Sequence, residues 1–393
     1  MSTTLADARV VTPDGVHEGW LTIEDGRFTH IGRGRAPGAG VGLGGRYVVP
    51  GFVDIHTHGG AGASFPSGDQ EQARRAAEFH ARHGTTTIMA SLVTASIGDL
   101  TRVTSALAEL CEDGLLAGVH LEGPYIAPAR RGAHDPGQLR EPSPGELSGL
   151  LKAGRGHVRM VTIAPELPGA LDTVRAAVGE GVIAALGHSD ATYDQARAGI
   201  DAGCTVATHL YNALPPLHHR TPGPIAALLE DPRVTVELIN DGLHAHPAML
   251  RLAVAAAGAD RTVLVTDAMA AAGMGDGTYR LGSMDVEVTG GAARLTEGGA
   301  IAGSTLTMDE AFRRAVQEVG LSLLEAAEMT SHTPARVLGI SSHTGSIAVG
   351  NHADLVVLNE DLTLHQVMRR GVWLPTPDLP HPRGDGMWLS THG

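Results

Sequence analysis

From Tyr47 onward, short apolar runs alternate with Ala-rich amphipathic segments. Eight runs stand out: GFVDIH, TTTIMAS, LAGVHLE, VRMVTIA, VIAALGH, TVATHL, VTVELIN and TVLVTD. Between them, segments such as GDQEQARRAAEFHARHG, LTRVTSALAELCEDG, ALDTVRAAVGEG and HPAMLRLAVAAAG carry apolar residues at i, i+3 and i+4, and most end in glycine. That spacing predicts helices, and the runs predict strands. Strand and helix in alternation predict a parallel sheet. Eight such units fit an α/β fold of the (β/α)8, TIM-like barrel type. An open doubly wound sheet is the structural alternative.

The flanks read differently. ARVVTPDGVHEGWLTIEDGRFTHIG alternates β-like runs with the turn signals Pro13-Asp14-Gly15 and Asp25-Gly26, which predicts antiparallel hairpins. Gly40, Gly42 and Gly45 match G-x-G-x-x-G, but a β-like stretch follows them where a dinucleotide fingerprint requires a helix. The tail GNHADLVVLNEDLTLHQVMRRGVWL is β-like again. Both chain ends are therefore expected to form a small β-sandwich, residues 1–47 with 345–393, beside a barrel over 48–344. The pairs Gly290-Gly291 and Gly298-Gly299 suggest a β-hairpin insertion near 278–301, with two helices expected within 305–338.

Composition narrows the setting. Hydrophobic residues make up 42% of the 393 but aromatics only 3%, so the core must be built from Ala, Val, Leu and Ile. A net charge of −14 argues against a general nucleic-acid or anionic-membrane surface, though a local basic site can still hold a phosphate. Cys111 and Cys204 make no disulfide framework. The N-terminus has no signal-peptide pattern, and no apolar run reaches the roughly 18 residues of a membrane span. A cytoplasmic protein is expected. Two counts are more pointed: 21 histidines, and a single lysine, Lys152.

The predicted strands end in chemistry. The first run ends in His56-Thr57-His58, the third in Glu122, the fifth in His188, the sixth in His209 and the eighth in Asp267. In a barrel, carboxyl strand ends meet around one mouth, where active sites sit. His56 and His58, two apart in an extended strand, point to the same side. Imidazoles with a carboxylate suit a divalent cation such as zinc, iron or manganese. Such an ion activates water, and a nearby carboxylate, Asp267, can take the proton and return it to a leaving group. Each residue alone has an ordinary reading: a structural H-x-H pair, loop histidines, a helix-capping aspartate, a glutamate paired with arginine. Chance does not account for five such sites at five strand ends.

At this point the chain resembles a known family. VVPGFVDIHTHGG resembles the opening motif of the amidohydrolase superfamily, and GNHADLVVLN its closing one. More narrowly, HLEGPY, GHSDATYDQ, THLYNAL, NDGLHAHP, LVTDAMAAAG and GSTLTM resemble, in order, the N-acetylglucosamine-6-phosphate deacetylase family. The resemblance covers about residues 47–358. It implies hydrolysis of the N-acetyl amide of a phosphorylated amino sugar, with Glu122, His188 and His209 as metal ligands and Asp267 as catalytic base. It implies that His134, in RRGAHDP, polarises the acetyl carbonyl, and that Asn212, Ala213 and His244 bind the substrate. It implies that Arg220 binds phosphate in the active site of the neighbouring subunit, hence a homodimer. The adjacent His218 and His219 are alternative phosphate contacts.

Some members of the superfamily bridge two ions with a carboxylated lysine from the fourth strand. VRMVTIAPE has no lysine, and Lys152 precedes it, at the wrong end. Glu122 is the available substitute. Because the chain also keeps His56 and His58, one ion and two ions both stay open. So do the epimeric substrate, N-acetylgalactosamine 6-phosphate, another amidohydrolase reaction, and a non-catalytic scaffold.

Overall fold

The computed structural model describes residues 2–375. Eight parallel strands form the central sheet: Phe52–Asp54, Thr85–Leu92, Gly118–Glu122, Val158–Ile163, Ile183–Leu186, Cys204–Ala207, Thr235–Ile239 and Thr262–Val265. They are called the first to eighth barrel strands below. Each pairs with the next in sequence. The first and eighth meet at the mouth through the Asp267 amide on the His56 carbonyl, at 2.9 Å. Asp54 adds to this seam, accepting from the Thr57 hydroxyl at 2.6 Å and the Thr266 hydroxyl at 2.5 Å. These contacts favour the barrel over the open sheet.

The helices follow the amphipathic segments, and several start on capping side chains. Asp69 accepts from the Gln72 amide and Ser96 from the Asp99 amide. Thr192 with Gln195 forms a reciprocal box that satisfies two otherwise orphaned donors. Between helices and strands lies one continuous apolar core of mainly Ala, Val, Leu and Ile, with Phe52 stacked on Phe312 at 5.5 Å. The expected pair of helices within 305–338 appears as Met308–Arg314 and Leu323–Ala327, each running on into a π-helical turn, at Ala315–Val319 and Glu328–His332, and the second continues as Thr333–Val337.

The chain ends share a second sheet. Its strands run in the order 372–373, 364–369, 355–358, 41–50, 2–12, 15–24 and 27–33, with hydrogen bonding continuous through all seven. It has its own core, including Leu5, Leu21, Phe28, Val48 and Leu355. The part of the sandwich expected beyond residue 375 lies outside the described residues. The expected hairpin insertion has a third strand: Gly277–Leu281, Met284–Thr289 and Ala292–Leu295 form a meander. Ala292–Leu295 was hidden from the sequence reading because it is short and lies between two glycine pairs. Among the described residues, no helix is long and apolar enough to cross a membrane, and both cysteines are buried and unpaired.

Candidate active site

Four of the functional side chains sit two residues beyond a strand end: His56 after the first, His188 after the fifth, His209 after the sixth and Asp267 after the eighth. Glu122 is the last residue of the third. His188, His209 and Asp267 have positive φ, at 47°, 30° and 49°, as do Tyr211 and Ala213 at 80° and 51°. L-residues adopt this region at a cost of about 1–3 kcal/mol each. At His188, His209 and Asp267 the strain falls where the chain leaves a strand and turns a side chain into the mouth.

Glu122 is the centre. Its Oε1 lies 3.0 Å from both His188 Nε2 and His209 Nε2. Its Oε2 lies 3.2 Å from His58 Nε2 and 3.4 Å from His134 Nε2. His56 Nε2 is 3.6 Å from Oε1. Asp267 Oδ1 stands 3.1 Å from His58 and 3.5 Å from His56. All these side chains are buried.

Two features show that this donor set fits metal. First, ring nitrogens face each other: His56 and His58 Nε2 at 3.2 Å, His188 and His209 Nε2 at 3.0 Å. Second, the Nδ1 atoms of His56, His58 and His188 point at acceptors, which puts their lone pairs on Nε2. Lone pairs so close repel unless a cation lies between them. Two groups of potential ligands share Glu122: His56 with His58, and His134 with His188.

Electrostatics shows how strongly the pocket draws positive charge, which a proton or a bound cation at Nε2 can supply. Burial drives His56 down, but Glu122, Glu237 and Asp267 together lift it well above its ordinary value. His58 is likewise lifted to about 9 against burial, by Asp267 and Glu122. Burial raises Asp267, but the pull of His56 and His58 outweighs it and holds the carboxyl below its ordinary value, so it is ionised. Burial takes His134 down to about 4, so it is neutral.

His134, on a loop that could not be placed from sequence, joins the cluster from the segment after Glu122. Of the expected substrate contacts, His244 donates from Nδ1 to Asp241 Oδ2 at 2.7 Å, and Asn212 reaches the His209 carbonyl at 3.3 Å. The Ala213 carbonyl accepts from the Ser189 amide at 3.2 Å. Arg220 is exposed beside His218 and His219, and among the described residues its guanidinium has no partner. Beside Glu122 in register, the fourth strand presents Thr162. Lys152 lies in the helix Pro144–Ala153.

Sequence reasoning missed the layer beneath. Glu237, fully buried on the seventh strand, accepts from His56 Nδ1 at 3.0 Å and from the His209 amide at 3.1 Å. His120 bridges Ser91 and Thr162 hydroxyls at 3.0 and 2.8 Å. A signal existed for both: Glu237 is a carboxylate inside the apolar run VTVELIN, and His120 precedes Glu122 by two, on the same side of the strand.

The amidohydrolase family profile matches residues 47–374. The chain belongs to the amidohydrolase family. Among curated members, it is 39% identical over 328 residues to the N-acetylgalactosamine-6-phosphate deacetylase of Escherichia coli O157:H7, a match over 82% of this chain and 86% of that one. It is 35% identical over 395 residues to the N-acetylglucosamine-6-phosphate deacetylase of Bacillus subtilis (strain 168), covering 94% and 96%. A solved amidohydrolase from Mycobacterium smegmatis superposes with a TM-score of 0.92 at 48% identity, over 95% of this chain and 99% of the other. That structure is of a D267A mutant of N-acetyl-D-glucosamine-6-phosphate deacetylase in complex with N-acetyl-D-glucosamine-6-phosphate.

Proposed function

We propose that this amidohydrolase removes acetate from N-acetyl-D-glucosamine 6-phosphate, leaving glucosamine 6-phosphate. The observation that carries this reading is the convergence of Glu122, four histidines and Asp267 at one barrel mouth, in a chain 48% identical to a deacetylase holding that sugar phosphate.

Glu122, His188 and His209 would hold a divalent cation, zinc first and iron or manganese next, and His56 with His58 would hold a second; the metal would supply Lewis-acid activation of water and of the amide. The residues do the rest. Asp267 takes the proton of the attacking water as the carbon–oxygen bond forms, then delivers it to nitrogen as the carbon–nitrogen bond breaks. His134 donates a hydrogen bond to the acetyl oxygen, where negative charge develops. Asn212, Ala213 and His244 hold the sugar. Arg220, free of protein partners among the described residues, suits a phosphate bidentately. Its reach into a neighbouring active site makes the protein a homodimer. The free buried cysteines suit a reducing cytoplasm.

Acetate release from both epimeric sugar phosphates, with bound metal measured in the same samples, tests the reading. Faster release from the gluco sugar supports it; release from the galacto sugar alone would support the relation to the E. coli enzyme instead. No metal and no acetate would sink the enzyme reading. Asp267→Asn is expected to lower turnover about 10²–10⁴-fold while the sugar phosphate still binds. Near-normal turnover in that variant would remove Asp267 from the proton path.

A further inference from the structure

We infer that Thr94 fixes the tautomer of His134, making it a hydrogen-bond donor toward the substrate and excluding it from the metal ligands. This rests on the deacetylase reading only for what the donor acts upon.

A neutral imidazole carries one N–H and one lone pair, and the partner of one nitrogen decides the state of the other. At three of the histidines Nδ1 meets an oxygen that has no hydrogen to give. His56 Nδ1 meets Glu237 Oε2 at 3.0 Å, His58 Nδ1 the Ser91 carbonyl at 3.1 Å, and His188 Nδ1 the Arg130 carbonyl at 2.9 Å. Each Nδ1 therefore bears a proton, which leaves each Nε2 as the nitrogen that can ligate a cation in the loaded protein. These are ligand tautomers.

His134 is wired the opposite way. The backbone amide of Thr94 lies 3.2 Å from His134 Nδ1, and an amide N–H only donates. The Thr94 hydroxyl lies 2.9 Å from the same nitrogen. Nδ1 thus holds the lone pair and Nε2 the proton. Distance alone would group His134 with Glu122 and His188 as a metal site. The hydrogen-bond pattern assigns it the other job.

The surroundings are built for this contact. Gly123 follows Glu122 with φ at 86°, and a Cβ there would collide with Thr94 Oγ1. Glycine at 123 is what lets the Thr94 hydroxyl sit against His134. Val93 and Ala133, the residues before the two partners, pack in one apolar cluster with Leu281 and Val286 of the meander. The Ser283 hydroxyl donates to Asp135 Oδ2 at 3.0 Å. The same insertion thus grips both sides of the Thr94–His134 contact.

Nitrogen-15 NMR of the zinc-loaded full chain, labelled at histidine, reads the tautomers directly. His134 is expected to show a protonated Nε2 and a bare Nδ1, with His56, His58 and His188 reversed. A zinc-coordinated His134 Nε2 would overturn the inference. Metal content gives a second reading: His134→Ala should keep the wild-type zinc content, and His188→Ala should lose zinc. Equal loss in both would also overturn it. Thr94→Val deletes the hydroxyl and keeps the amide, so kcat should fall about three- to tenfold with KM and zinc content unchanged, and Thr94→Ser should restore it. Wild-type kcat in Thr94→Val would remove the hydroxyl from the account. The NMR and zinc measurements need no substrate, so they stand apart from any failure of the deacetylase reading.

Discussion

Replacing Glu237 by glutamine isolates what the buried layer contributes to metal binding. The side chain is fully buried, and one oxygen, Oε2, accepts from both His56 Nδ1 and the His209 amide. The other oxygen, Oε1, has no hydrogen-bond partner among the described residues. Glutamine has nearly the same volume and keeps one acceptor oxygen, so no cavity forms and the main change is the lost charge. A hydrogen bond to a charged group contributes about 1.5–3 kcal/mol and a neutral one about 0.5–1.5 kcal/mol. The His56 contact is where that difference acts on a ligand, so Glu237→Gln should cost about 1–2 kcal/mol of metal binding, roughly 5–30-fold in affinity. Loss of such supporting partners elsewhere costs about 10–100-fold, which overlaps this range.

The balance for the metal-free protein is different. There Glu237 is one of three carboxylates that attract His56, so its loss removes one attraction while relieving the desolvation of one buried charge. With Glu122 and Asp267 still facing His56, the apo variant should melt close to apo wild type. Zinc titration of apo protein against a competing chelator measures the first quantity, and thermal unfolding of the apo forms the second. Affinity within twofold of wild type would refute the reasoning. So would a large loss of apo stability, which would make Glu237 a structural prop with no special bearing on metal.

Arg220→Gln should raise KM about 10–100-fold with little change in kcat, as a charge-assisted phosphate contact is lost. Refolding it together with Asp267→Asn should recover activity if the arginine serves the neighbouring subunit; no recovery would place it in its own. The Asp241–His244 pair makes stability pH-dependent. Burial lowers His244, but the 2.7 Å contact with Asp241 raises it overall; burial raises Asp241, but His244 lowers it overall. A raised histidine stabilises fully below its unfolded value of about 6.5 and loses that as pH climbs through its folded value; a lowered aspartate stabilises above about 3.9 and loses that as pH falls. The melting-temperature gap between wild type and His244→Asn should therefore be widest near pH 4–6.5 and shrink on the alkaline side. A gap that widens with rising pH would contradict the pairing.

Period and spacing made the barrel legible, because eight apolar runs separated by amphipathic helices leave few folds open. The site was legible at strand ends for the same reason: topology brings His56, Glu122, His188, His209 and Asp267 together whatever the loops do. What stayed hidden depends on contacts that no local pattern encodes. Thr94 and His134 lie 40 residues apart and meet only because the loops after the second and third strands converge. Glu237 was visible as a carboxylate in an apolar run, but its partners, His56 and His209, come from the first and sixth strands. The third strand of the meander was obscured by its flanking glycines.

The division between strand-end residues and loop residues has a physical basis. Metal ligands must converge within about 2 Å of one point, so they need the most rigid positions, and barrel strand ends supply them. The group that meets the acetyl oxygen must instead reach across to the substrate side of the metal. A strand end is too short for that, so His134 comes from a loop twelve residues beyond Glu122. A loop that long would be loose unless something held it. Here the Thr94 amide holds the ring, and the meander after the eighth strand holds the backbone on both sides of the contact. Glu122 and Gly123 thus serve two ends of one arrangement: the carboxylate gathers the ligand histidines, and the missing side chain next to it admits the Thr94 hydroxyl beside the amide that turns the remaining histidine into a donor.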